Sequence, residues 1–156
     1  MIREEKDGLW IEQSEVIAKH HEEVFACLNS PIGLVRWFPV TAKFEAPAPE
    51  SGGLIILGWD RAFTRKTTIA ILDYDPGGFI AWDWQAGTSD LHAPLYWRIT
   101  PELEQGALVE LRQGPFSDDR ETLLIMADQA TVWRWHLCNL RTVLEAGYDM
   151  RAIRPL

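Results

Sequence analysis

From Leu123 to Ala146 the chain contains neither glycine nor proline, and Gly147 stands directly after. Within that stretch Met126, Ala130, Trp133, Leu137, Leu140 and Leu144 recur at alternating spacings of four and three residues. This period puts all of them on one face of an α-helix. Glycine just past the last periodic residue is the type that most readily takes the left-handed conformation closing a helix. At the helical rise such a segment is about 36 Å long, whereas a globule of this size is about 40 Å across. One helix therefore crosses the whole molecule, and its apolar stripe needs a broad complementary surface. A sheet laid along one side of the helix is the simplest such surface.

The rest of the chain supplies the strands. Leu9 to Ala18, rich in Ile, Val and Trp, reads as a first strand. His20 to Asn29 follows as a helix with Val24, Phe25 and Leu28 on one face. Ser30-Pro31 then forms an N-cap and N1 pair for a second, very short helix ending at Trp37. Pro47 and Pro49 with Ser51-Gly52-Gly53 mark a loop. Strand-like runs come next over Leu54 to Trp59, Lys66 to Tyr74, Phe79 to Gln85, Leu95 to Thr100 and Ala107 to Gln113. Asp75-Pro76-Gly77-Gly78 and Gln105-Gly106 are turn signals between them, and runs at this spacing argue an antiparallel meander. The expectation is an α+β chain read as one domain over residues 1–156. It has a sheet of about six or seven antiparallel strands, two short helices after the first strand and a long C-terminal helix.

Strand parity predicts the face that meets the helix. Leu95, Trp97 and Ile99 point one way, with Tyr96 and Arg98 opposite. Ala107, Val109, Leu111 and Gln113 share one side, with Leu108, Glu110 and Arg112 on the other. Ile80, Trp82 and Trp84 form a similar apolar set.

Charge and composition narrow the partners. Fifteen Lys plus Arg against 23 Asp plus Glu give a net charge of −8, so the basic face that nucleic acid requires is not expected. No run approaches the roughly 18 apolar residues of a membrane span. The charged Met1 to Asp7 segment does not read as a signal peptide. Cys27 and Cys138 both lie in helix-like apolar surroundings and read as packed free thiols in a cytoplasmic protein, although the sequence leaves a disulfide between them open.

Local motifs add a family likeness. Glu23-Val24-Phe25 through Leu28 and then Trp37-Phe38 stand near the start. Asp75-Pro76 with Trp82-Asp83-Trp84 lies in the middle, and Gly106 to Gln113 leads into Gly114-Pro115-Phe116. Trp135 to Leu137, Leu140, Leu144-Glu145 and Gly147 close the series. In this order they resemble the activator of heat-shock protein 90 ATPase homologues within the START-like helix-grip (SRPBCC) superfamily. The resemblance runs from about residue 9 to residue 151. It implies a curved sheet gripping the long helix, with a cavity between them in many members. Members bind lipids, sterols, polyketides or plant hormones, and some are cyclases. The family name adds a chaperone-associated stress-response role as an alternative, and the superfamily a polyketide-cyclase-like enzyme as a further one.

Conventional catalytic signals are missing from the sequence. His20 and His21 are adjacent and cannot easily share a metal. No carboxylate stands with two histidines at ligand spacing, so the iron site of the superfamily's oxygenase branch has no counterpart. His92 and His136 read as surface or satisfied core residues. There is no Gly-x-Ser-x-Gly elbow and no phosphate-binding Gly-rich loop. Asp118-Asp119 sits where it favours the long helix's N-terminal dipole.

Tryptophan is left as the functional signal, with eight copies in 156 residues. Trp37, Phe38, Trp82, Trp97, Leu111, Gln113, Met126, Ala130 and Trp133 are the expected lining of a site between sheet and helix. No catalytic residue, metal or cofactor is assigned. The expected partner is a small hydrophobic molecule, with a chaperone as the alternative, and the chain is expected as a monomer or homodimer. The competing reading is that the rings simply fill the core.

Overall fold

The structure is a computed structural model that describes residues 1–86 and 90–153. Its longest element is the expected helix, Arg120–Ala146 (α3), 27 residues and about 40 Å. Both ends follow local chemistry. The Asp119 carboxylate accepts from the Thr122 backbone N–H at 2.9 Å, and Gly147 takes φ 64° as the C-cap.

The described strands form one eight-stranded antiparallel sheet. In chain order they are Ile2–Glu5 (β1), Gly8–Ile17 (β2), Thr41–Phe44 (β3), Leu54–Gly58 (β4), Lys66–Asp75 (β5), Phe79–Trp82 (β6), Leu95–Glu102 (β7) and Gly106–Phe116 (β8). Across the sheet the order is β1-β2-β8-β7-β6-β5-β4-β3, so β2 crosses over to pair with β8 while β3 to β8 run as a meander. His21–Asn29 (α1) and Pro31–Val35 (α2) lie between β2 and β3. Ser30 Oγ accepts from the Gly33 N–H at 3.0 Å, the cap its sequence position predicts. Gly33 itself is obligatory, because a Cβ there would overlap the Ala26 carbonyl and push α2 off α1.

Three expectations need correction. The sheet has eight strands among the described residues, not six or seven, and the two short helices follow the second strand, not the first. The strands the sequence reading missed, β1 and β3, are the two edges of the sheet. All of β1 is exposed, so no face of it is buried and no alternation is imposed on its sequence. The third correction is the run over Phe79 to Gln85. Strand β6 ends at Trp82, although the Asp83 N–H still bonds to the Ala70 carbonyl at 2.9 Å in register with β5, and Gln85 forms an isolated bridge to His92. Trp84 lies beyond the end of the strand yet still packs inward with Trp82, on Phe38 and Trp133.

The parity argument holds on β7 and β8. Leu95, Trp97, Ile99, Ala107, Val109, Leu111 and Gln113 are all buried, and their alternates are turned outward. These side chains and α1 meet the buried stripe of α3 in one main core. Fully burying each large apolar side chain in it contributes about 2–3 kcal/mol. A smaller core sits toward the N-terminal end of α3, built from Ile11, Phe116, Met126, Ala86 and Ala93.

Candidate functional site

Between sheet and helix the rings pack into a closed aromatic cluster, here termed the chamber, whose centre the Phe38 ring fills. That residue follows α2 directly, and its ring meets six others. Ring centroids lie at 5.2 Å to Trp37, 5.4 Å to Trp59, 6.3 Å to Trp82, 6.0 Å to Trp84, 5.3 Å to Trp133 and 4.7 Å to His136. Behind it Trp97 packs edge-on against Trp133 at 5.6 Å and Trp37 at 5.9 Å, and lies 5.5 Å from Trp82. The edge-to-face arrangements place the positive rim of one ring on the negative face of another. Strands β6 and β7 supply Trp82 and Trp97, the helix supplies Trp133 and His136, and the α2–β3 connection supplies Trp37 and Phe38.

The indole N–H groups divide into two classes. Trp10 donates to Asp7 Oδ1 at 3.0 Å, Trp37 to the Cys27 carbonyl at 2.8 Å, Trp59 to Thr67 Oγ1 at 2.9 Å and Trp84 to Gln129 Oε1 at 3.1 Å. Trp82, Trp97 and Trp133 are buried and donate to no acceptor among the described residues. His136 Nδ1 and Gln113 Oε1 are buried and unpartnered in the same way. Each such group forfeits about 1–3 kcal/mol relative to a satisfied one. Their concentration around one chamber is unusual for a core assembled purely for packing.

The expected lining residues do not all come together. Trp37, Phe38, Trp82, Trp97, Leu111 and Trp133 share the main core. Met126 and the half-buried Ala130 belong to the smaller one, nearer the start of α3. Gln113 stands at the boundary. Its amide donates to Gln129 Oε1 at 3.1 Å and to the Ala93 carbonyl at 3.3 Å. Gln129 thus accepts from both Gln113 and Trp84, forming a polar seam beside the Trp84–Trp133 ring pair.

Several residues of the site escaped sequence reasoning. Trp59 had no assigned place, and Gln129, His136 and Asn139 were not counted with the buried stripe. The signal was present. Gln129 is three residues past Met126, and His136 three past Trp133, so both fall on the flank of the inward face. Burial holds His136 at about 4, far below the usual imidazole value, with the nearby Arg151 charge adding to the effect. At neutral pH it is therefore an uncharged ring packed mostly edge-on among aromatics.

A polar latch closes the chamber at the C-terminal half of α3. Asn139 donates to the Trp37 carbonyl at 2.8 Å and accepts from the Met150 N–H at 2.7 Å. Arg151, in a 3₁₀ turn over Met150–Ala152, donates to the carbonyls of Val35, Arg36, Phe38 and Pro39 between 2.8 and 3.2 Å. Asp149 binds the same guanidinium, and this holds the Asp149 carboxyl below its ordinary value.

No family model matches the chain, and no curated protein matches its sequence. Solved structures do match. A protein from Staphylococcus saprophyticus is 20% identical with a TM-score of 0.74, over 91% of this chain and 96% of that one. The Aha1 dimer from Colwellia psychrerythraea is 18% identical with a TM-score of 0.69, over 90% and 98%. CalU16 from Micromonospora echinospora is 17% identical with a TM-score of 0.71, over 98% and 86%. At these identities the likeness is one of fold. No helix of the described residues is long and apolar enough to cross a membrane.

Proposed function

We propose, with the START-like helix-grip fold as the premise, that this chain binds a small flat aromatic or apolar molecule between its sheet and α3. The observation that carries the reading is the set of buried indole N–H groups of Trp82, Trp97 and Trp133 without acceptors around the Phe38 ring. A ligand with a carbonyl or hydroxyl oxygen would satisfy donors that the protein itself leaves unpaired, while its ring system would stack on rigid aromatic walls. In this reading the ligand takes the position of the Phe38 ring, and the segment carrying Phe38 moves aside. Gln113 and Gln129 border the space and supply the polar contacts that fix orientation. Cys27 and Cys138 are both free thiols, which supports a cytoplasmic setting.

The test is titration with planar aromatic ketones and phenols, following tryptophan fluorescence and melting temperature. Binding should quench the emission and raise the melting temperature with ligand concentration, as mass action requires. Trp133→Phe should weaken the response, because it removes one donor and one wall. A flat response across a broad panel of lipids and aromatic metabolites would overturn the reading.

A further inference from the structure

The outer face of the sheet, opposite the chamber, carries a concavity of about 920 Å³. It lies where β1, β2, β8, β7 and β6 run side by side, and its floor is aromatic. Trp10 is buried there although it stands on the outward side of β2, and its ring lies 5.9 Å from Tyr96. Phe79 extends the floor on β6.

Charge is distributed unevenly over this floor. In a chain of net charge −8, four arginines line the concavity against two glutamates, Glu12 and Glu110. Most of the arginines are engaged. Arg112 lies 4.5 Å over the Trp10 ring and is paired with Glu5 and Glu12, Arg3 is paired with Glu12, and Arg134 with Glu15. Arg98 differs. It is exposed, faces Glu110 across the strand pair without an ion pair, and lies 5.0 Å over the Phe79 ring. Among the described residues it has no carboxylate partner. Cation–π contact holds the guanidinium in place yet leaves its donors free.

We propose that this concavity is a second ligand site, distinct from the chamber, for a small aromatic carboxylate. The ring of the ligand lies on Tyr96, beside the Arg112–Trp10 stack, and its carboxylate accepts the paired N–H groups of Arg98, the geometry a guanidinium fork matches. The volume is that of small-molecule sites generally. The guanidinium of Arg98, without an ion pair among the described residues, favours an anion over a neutral or cationic aromatic. The face is also where an outward tryptophan has no packing role toward α3, since Trp10 lies outside both apolar cores.

The experiment compares 2-naphthoate with its uncharged counterpart 2-naphthalenemethanol through the shift of the Trp10 indole N–H resonance, which reports this face and not the chamber. Naphthoate should bind about tenfold more tightly than the alcohol, and Arg98→Gln should remove that difference. The preference should shrink with added salt. Trp133→Phe, which alters the chamber, should leave naphthoate binding unchanged, so failure of one site does not mask the other. Because Arg98 is exposed, its substitution leaves the fold intact, which near-ultraviolet circular dichroism verifies. Equal affinity for acid and alcohol, loss in Trp133→Phe instead of Arg98→Gln, or no saturable binding up to about 1 mM would each overturn the proposal.

Discussion

The guanidinium of Arg151 donates to the carbonyl of Phe38 at 3.2 Å, so the residue whose ring fills the chamber is held by a charge near the far end of the chain. The same guanidinium reaches three neighbouring carbonyls and Asp149. A 3₁₀ turn thereby fixes the short connection between α2 and β3. Charge-assisted bonds of this kind are about twice as strong as neutral ones, and most of this guanidinium is shielded from solvent.

Replacing Arg151 with alanine should therefore loosen the segment 35–40 specifically. The expected result is faster amide exchange at Trp37, Phe38 and Val40, the first two bonded to the Leu34 carbonyl and the third to that of Gly58. The overall loss should be about 2 kcal/mol in denaturant unfolding. Amides in β7 and β8 should exchange no faster than the global loss dictates. Uniform acceleration across the sheet would show that the latch is not local.

The two classes of tryptophan predict different costs for the same substitution. Trp37→Phe strands the Cys27 carbonyl, which the indole N–H satisfies at 2.8 Å. Trp97→Phe removes a donor that has no acceptor. Both lose comparable apolar area, so Trp37→Phe should be the more destabilising by about 1–2 kcal/mol. Equal midpoints in urea would refute the distinction between the classes.

His136 predicts a pH window. In the unfolded chain an imidazole titrates near 6.5, whereas in the fold His136 is held at about 4 by burial. Between these values the unfolded state binds a proton that the native state does not, so stability is complete above about pH 6.5 and falls as pH drops toward 4. The slope is about 1.4 kcal/mol per pH unit, for a total near 3 kcal/mol. His136→Phe should flatten the profile in this window. The carboxylates with lowered values, Asp149 and Glu145 among them, begin to add their own loss near pH 5, as the unfolded chain protonates, so the span from about pH 6.5 to 5 isolates the imidazole. A wild-type profile already flat from pH 6.5 to 4 would contradict the buried neutral imidazole.

Much of this architecture was legible beforehand because one buried face writes a period into the sequence. The stripe Met126 to Leu144, the Asp119 and Gly147 ends of α3, the Ser30 cap and the inward sets on β7 and β8 were all read from spacing and residue type. The strands β1 and β3 were not, since an edge strand with little buried surface carries no alternation. Trp84 was read with the inward set of β6 and does pack inward on Phe38 and Trp133, although the strand itself ends at Trp82.

The site follows the same division. Sequence determined that Trp37, Trp82, Trp97 and Trp133 would be drawn into the space between sheet and helix, because large apolar rings on an inward face have nowhere else to go. Only the tertiary structure decided which indole N–H groups find acceptors. Trp84 meets Gln129 across 45 residues of chain, and Asn139 meets the Trp37 carbonyl across 102. Periodicity fixes the direction in which a side chain points, while a hydrogen bond depends on angstrom-level distance between elements that only the packed fold sets. For the same reason Trp10, which sequence alone left without a place, belongs to an arginine-rich concavity on the opposite face of the sheet.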